Sequence, residues 1–146
     1  MRQTFLYKGH HDTYYTEVTN TSCHDTFKIE IYSNDSRLMG GLSFYIDGEK
    51  AWLSNINVVE KYRYKGVGQA LIEIFEYLSA INNVVSIAGI YSPGNEYAKD
   101  FYAKNDYTIN KYDFEDLIEK EIDPDEIIAK SSDRFIDLSD MYTIGD

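Results

Sequence analysis

From Thr26 to Val59 apolar and polar residues alternate in short runs: FKIEIYS, a Ser-Asn-Asp-Ser turn, LMGGLSFYI, Asp47-Gly48, then KAWLSNINVV. A period of two puts every second side chain on a buried face, and Asp-Gly between two such runs supplies the positive-φ residues of a tight hairpin. Three consecutive antiparallel strands are predicted. Upstream, TYYTEVT predicts one further strand or an extended arm. The period then changes: Leu71, Ile74, Phe75, Leu78 and Ile81 recur at helical spacing with Glu73 and Glu76 between them, and Asn82-Asn83 ends the pattern. VVSIAGIY is a continuous apolar run of strand length, expected as a central strand covered on both faces. Ser92-Pro93-Gly94 turns the chain, Asn95 stands where it caps a second helix running to Lys104, and DYTINKYDF returns as a strand. Strands first, then strand, helix, strand, helix, strand predict an α/β (α+β) mixed sheet with helices packed on it.

Length and charge refine this picture. The 146 residues suit a single domain spanning 1–146, large enough for one substantial core. Lys and Arg number 14 against 25 Asp and Glu, a net charge of -11, which opposes nucleic acid or an anionic membrane as partner. The acid is uneven: residues 1–110 hold 10 basic and 13 acidic groups, whereas residues 111–146 hold 4 and 12. That last segment still carries Leu117, Ile118, Ile122, Ile127, Ile128 and Phe135, so it is expected as an ordered acidic extension of short helices packed on a 1–110 core. Within it, Asp123-Pro124-Asp125 reads as a stop followed by a fresh helix start. Cys23 is the one cysteine and has no internal disulfide partner, as in a reducing compartment. No apolar run approaches the roughly 20 residues of a membrane span, and MRQTFLYKGHHDTYY lacks the features of a signal peptide, so a cytoplasmic protein is expected. His10, His11, His24 and Cys23 resemble a metal set by residue type, but their spacing fits no zinc pattern; they are expected as surface residues, with no metal site.

The candidate chemistry lies at the change of period, in Tyr62-Arg63-Tyr64-Lys65-Gly66-Val67-Gly68-Gln69-Ala70-Leu71. Two glycines one residue apart turn the backbone tightly and leave amide N–H groups unobstructed, and the helix that follows adds its positive end. The combination is a cradle for an anion of pyrophosphate type, with Arg63 and Lys65 as local positive charge. It is neither a dinucleotide fingerprint, which needs a third glycine where Leu71 stands, nor a P-loop, which needs Lys-Ser/Thr where Gln69-Ala70 stands.

The stretch Asn57 to Leu71 resembles the central signature of the GNAT superfamily of acyl-CoA N-acyltransferases, Arg/Gln-x-x-Gly-x-Gly/Ala after a strand ending in an apolar-x-Val. A second stretch, Asn95-x-x-Ala98-x-x-Phe101-Tyr102-x-Lys104, is similar to the helix those enzymes place after their next strand, and the resemblance covers about residues 26–110. It implies acetyl-CoA as acyl donor and direct transfer to a primary amine in a ternary complex. By this resemblance the strand before the motif splays from its neighbour and the Val58 N–H polarises the thioester. Amides of Lys65, Gly66, Val67, Gly68 and Gln69 hold the pyrophosphate with help from Arg63, Asn95 meets the pantetheine arm or caps its own helix, and Tyr102 protonates the departing thiolate.

The chain departs from the family pattern in two places. Ser54-Asn55-Ile56-Asn57 has no carboxylate where many members carry their base, leaving Asn55 to orient a water and solvent or a carboxylate of the acidic extension to accept the proton. Only about 25 residues precede Thr26, so the helical N-terminal part is reduced, and the acceptor side is truncated, rebuilt by the acidic extension, or completed by a second subunit as in a homodimer. An extension flanking the cleft favours a cationic acceptor. The alternative reading is a non-catalytic CoA-binding or protein-interaction module on the same fold.

Overall fold

The computed structural model describes residues 2–20, 25–91 and 96–138. Among them the chain runs β1 (Arg2–Lys8), β2 (Thr13–Asn20), β3 (Thr26–Tyr32), β4 (Leu38–Asp47), β5 (Lys50–Val58), α1 (Val67–Ile81), β6 (Ser86–Tyr91), α2 (Glu96–Lys104), β7 (Thr108–Lys111), β8 (Asp116–Glu121), α3 (Pro124–Ser131) and β9 (Phe135–Asp137). All the strands join one mixed sheet in the order β7-β8-β6-β5-β4-β3-β2-β1-β9. Only β5 and β6 pair in parallel, joined by the crossover that carries α1; the other neighbours are antiparallel.

The three-strand meander, α1 and β6 lie where periodicity predicts. Helix α1 turns Leu71, Ile74, Phe75 and Leu78 onto the sheet, where they meet Ile29, Ile31, Leu42, Phe44 and Leu53 in one core. Each such side chain contributes about 1.5–3 kcal/mol. The Phe44 and Phe75 rings pack edge to face at 4.8 Å. Close approach of α1 to β4 depends on Gly40, since a Cβ there would lie 2.9 Å from the Asn57 carbonyl oxygen and 3.1 Å from Val67 Cγ1.

Two expectations change. Residues 2–20 form a complete hairpin, β1–β2, rather than a single strand or arm, and no helix precedes β3 among the described residues. The reduced N-terminal helical part is thus replaced by strands that widen the sheet. The acidic extension, expected as short helices on the body, holds one such helix, α3, starting as predicted with Pro124 in its first turn and the Asp123 carboxylate accepting from the Asp125 and Glu126 N–H groups at 3.1 and 3.4 Å. Its other pieces are strands: β8 lies inside the sheet between β6 and β7, and β9 pairs with β1 at the far edge. A boundary at residue 110 therefore cuts through the sheet. Strand β8 is hard to read because its covered face carries Asp116, Ile118 and Lys120, so two of three inward positions are charged. Lys120 reaches the Glu76 carboxylate at 3.1 Å, with the Tyr107 hydroxyl donating to the same group at 2.9 Å. Burial raises the pKa of Glu76 against the lowering effect of Lys120.

Among the described residues no helix is long and apolar enough to cross a membrane, and no group of three His, Cys, Asp or Glu side chains is placed to hold a metal ion. Cys23 and His24 lie outside the described residues.

Candidate functional site

Strands β5 and β6 part company halfway. They pair from Lys50↔Ser86 to Leu53↔Gly89, after which β6 continues only with β8, to Tyr91↔Asp116, while β5 runs on with β4 to Val58. The divergence begins at a bulge: Ser43 faces Asn55 and Phe44 faces Leu53, leaving Ser54 as the extra residue on β5. A bulge bends and twists its strand, and here it carries the end of β5 away from β6. The Val59 N–H donates to Met39 on the β4 side at 2.9 Å. Alternation along the strand then aims the Val58 N–H into the gap. The Val58 carbonyl, on that same side, accepts from Arg63 Nε at 3.1 Å.

Past Val58 the chain makes one 3-10 turn, Glu60–Tyr62, and enters the glycine segment. Tyr64 has φ 64° and Gly66 φ 84°, both in the left-handed region. For Tyr64 this costs about 1–2 kcal/mol, a strain typical of ligand-holding loops. Gly66 is the N-cap residue of α1 and offers no side-chain cap. The first helical hydrogen bond runs from Ala70 N–H to the Gly66 carbonyl at 3.0 Å, so the amides ahead of it have no partner within the helix. No acidic residue stands in the first turn, in a chain where acids outnumber bases by 25 to 14.

Two connected cavities meet there. The larger, about 790 Å3, is lined by the cradle from Arg63 to Ala70, by Val58, by α2 and by the β1–β2 turn. The smaller, about 390 Å3, enters the gap and is lined by Ile56, Asn57, Val58, Ala98, Phe101 and Tyr102. Tyr64 and Tyr97 rim both, their rings edge to face at 5.8 Å. The residues expected at the site therefore come together in part. Arg63, Lys65, Gly66, Gly68 and Gln69 line the larger cavity, Val58 lines both, and Val67 lies beneath the cradle with its side chain in the core. Tyr102 lines the smaller cavity in a cage of Tyr91, Phe101 and Tyr107 rings, and burial pushes its phenol up to about 12. Asn95 lies outside the described residues.

Asn55 lines neither cavity. Phe44 on β4 packs against α1, and its neighbour Ser43 faces the other way, opposite Asn55; the Asn55 side chain is therefore exposed on the sheet face away from α1. Among the described residues no carboxylate lines the smaller cavity.

Some site residues escape the sequence. His10 and His11, expected as ordinary surface residues, stand in the wall of the larger cavity with Tyr14 and Glu73. The Glu73 carboxylate accepts from the Tyr7 hydroxyl, from His10 Nε2 at 3.1 Å, from Gln69 Nε2 at 2.9 Å and from Arg134 Nη1 at 3.4 Å. Burial, reinforced by the bond to Glu73, raises the Tyr7 pKa. Gln69 continues the network to Asn105, with Nε2 donating to Oδ1 at 2.8 Å. The one local signal for this cluster is the polar pair Gln69 and Glu73, one turn apart on α1.

An uncapped helix start beside a parted pair of parallel strands is what the fold presents at this cleft. The model of the acetyltransferase (GNAT) family matches residues 2–107, and the chain belongs to that family. Enzymes of this family take their acyl group from acetyl-CoA. No curated protein matches the chain. Among solved structures, PaiA N-acetyltransferase from Thermoplasma acidophilum in complex with coenzyme A is 22% identical with a TM-score of 0.65, covering 69% of this chain, which spans 64% of that protein's length. A GNAT-family acetyltransferase from Staphylococcus aureus is 15% identical with a TM-score of 0.64, over 71% of this chain and 72% of that one. GCN5 from Tetrahymena is 19% identical with a TM-score of 0.59, over 68% and 70%. At these identities the likeness concerns the fold.

Proposed function

We propose that the protein is an N-acetyltransferase that moves an acetyl group from acetyl-CoA to a primary amine by direct attack in a ternary complex. The observation that carries this reading is the continuity of the open first turn of α1 with the β5–β6 gap, where the Val58 N–H and the Tyr102 phenol face one cavity. The pyrophosphate sits on the cradle amides, held in addition by Lys65 and the outer guanidinium nitrogens of Arg63. The pantetheine arm passes beside the Tyr64–Tyr97 pair into the gap, where the Val58 N–H polarises the thioester carbonyl. The amine nitrogen attacks that carbon, its surplus proton leaves through water, and the carbon–sulfur bond breaks as the carbonyl re-forms. Because the Tyr102 phenol is pushed up to about 12, full proton transfer to a thiolate near 8.5 is uphill by about 5 kcal/mol. Tyr102 therefore serves by hydrogen-bonding the departing sulfur, and solvent completes the protonation.

The acceptor enters from the sheet face that bears Asn57. Gly41 lies between Asn57 and Glu30 in register, and Glu30 Cγ is 3.9 Å from where a Gly41 Cβ would be, so the side chain lies beside Asn57, with its carboxylate paired to Lys28 Nζ at 3.6 Å. A cationic acceptor amine can take the place of Lys28 on this carboxylate. Of the acids in residues 111–146, Asp113 and Glu115 adjoin the end of β8 that pairs with Tyr91, nearest the gap, whereas Glu121 pairs at the opposite end with Ser86.

Calorimetric titration with acetyl-CoA tests the donor half, and absence of binding at millimolar ligand overturns it. Turnover with a panel of primary amines and polyamines tests the rest, with Glu30→Gln expected to raise KM for cationic acceptors more than for neutral ones. The absence of a carboxylate among the residues lining the smaller cavity favours a second reading, a CoA-binding module without turnover; acetyl-CoA binding with no product from any amine establishes it.

A further inference from the structure

The larger cavity has two lobes beyond the cradle that the smaller one does not share. One lies against α2, between Asp100 and Lys104; the other lies against the β1–β2 turn, between His10, His11 and Glu73. If a pyrophosphate occupies the cradle and one arm of the ligand enters the gap, the other arm falls into one of these lobes. In CoA that arm is an adenosine carrying a 3′-phosphate, a dianionic monoester that seeks N–H donors and avoids uncompensated carboxylates.

The two lobes differ in how their carboxylates are satisfied. Among the described residues Asp100 forms no ion pair or hydrogen bond, so its charge stands open in the α2 lobe. Glu73 in the hairpin lobe is covered by Arg134, Tyr7, Gln69 and His10. Arg134 only donates, and its Nη2 lies 3.4 Å from His10 Nδ1. Nδ1 therefore accepts, and Nε2 carries the proton that points to Glu73. Both nitrogens of His10 are thereby used in holding the turn, which the Gly9 N–H closes on the Asp12 carbonyl at 2.8 Å. The neighbouring His11 lines the cavity and, among the described residues, has no hydrogen bond or ion pair. The Tyr14 hydroxyl bonds the Lys65 carbonyl at 3.1 Å, tying this hairpin to the cradle loop.

We propose that the β1–β2 turn is the site for the 3′-phosphate of CoA, with His11 donating to the phosphate and His10 as its positioning residue, anchored on Glu73 and Arg134. The hairpin that stands where the family pattern has helices thus supplies a wall of the donor site. The proposal rests on the reading of the cleft as a CoA site, and its test separates the two.

Dissociation constants for CoA and 3′-dephospho-CoA are measured by calorimetry on the wild-type chain, His11→Ala and Lys104→Ala. The wild type is expected to prefer CoA at least tenfold. His11→Ala should bring CoA down to the level of dephospho-CoA while leaving the affinity for dephospho-CoA within twofold, which also shows that the variant is folded. Lys104→Ala should keep the preference. Equal wild-type affinities, or loss of the preference in Lys104→Ala but not in His11→Ala, overturns the proposal and leaves the CoA reading intact. Failure of both ligands to bind the wild type overturns that reading as well.

Discussion

Helices α1 and α3 begin in opposite ways. At α3 the chain satisfies its own helix end: Asp123 caps two amides, Pro124 occupies a position that needs no N–H, and Asp125 and Glu126 sit in the positive field of the first turn. At α1 none of this happens, since Gly66 has no capping side chain and no acid follows in the first turn. A cap of the first kind contributes about 1 kcal/mol. The chain forgoes that at α1 and accepts a left-handed Tyr64 besides. Stability is thus settled locally at one helix end and left incomplete at the other.

The largest effect is expected from making α1 resemble α3. Gly68→Asp places a carboxylate in the first turn, where the ordinary contacts of a Cβ, 3.6 Å from Phe101 and Val58, leave space for it. CoA affinity measured by calorimetry should fall at least about 100-fold through repulsion of the pyrophosphate, while the melting temperature holds or rises because the carboxylate favours the helix dipole. Unchanged affinity would show that the open helix end is not the phosphate site.

Tyr102→Phe separates gripping the donor from reacting with it. It should lower kcat about 10- to 100-fold with the CoA dissociation constant unchanged, as read by steady-state kinetics beside calorimetry. With the phenol held near 12, no loss of kcat assignable to Tyr102 is expected below about pH 11.

Alkaline titration supplies a control for both helix ends. Tyr102 is raised to about 12 from 10.0 in the folded chain, and a raised folded pKa contributes stability that is full below the unfolded value and is lost as pH rises through the folded one. About 2–3 kcal/mol should therefore disappear between roughly pH 10 and 12, with Tyr7 and Tyr107, also raised by burial, adding to the loss. Denaturant melts should show the same alkaline slope in the wild type and in variants of either helix end. The smallest effect belongs to Asp123→Ala, which should cost about 1 kcal/mol of stability by denaturant melting and leave CoA affinity within twofold.

Legibility in the sequence followed the range of the interaction. The meander, α1, the start of α3 and the cradle are each specified within a dozen neighbouring residues, through alternation, a helical stripe, Asp-Gly, Asp-Pro and paired glycines. The N-terminal hairpin was half visible, because TYYTEVT alternates but His10-His11-Asp12 marks no strong turn and no element is predicted over Arg2–Lys8. Asn55 shows the limit of strand-based reasoning. Its position on β5 was legible, but the bulge at Ser54 and the face it turns to are settled by pairing with β4.

By itself, then, the sequence determined the elements with local signals and the glycine turn with its open helix start between β5 and α1, since backbone geometry and helix polarity there depend on consecutive residues. Only the tertiary structure decided that residues beyond 110 supply an interior strand, that β5 and β6 separate after Leu53, and that His10, Glu73 and Arg134 meet beside the cradle. Those contacts join residues 61 to 124 positions apart. No local pattern encodes them, because the pairing energy appears only after the sheet has brought its distant strands together.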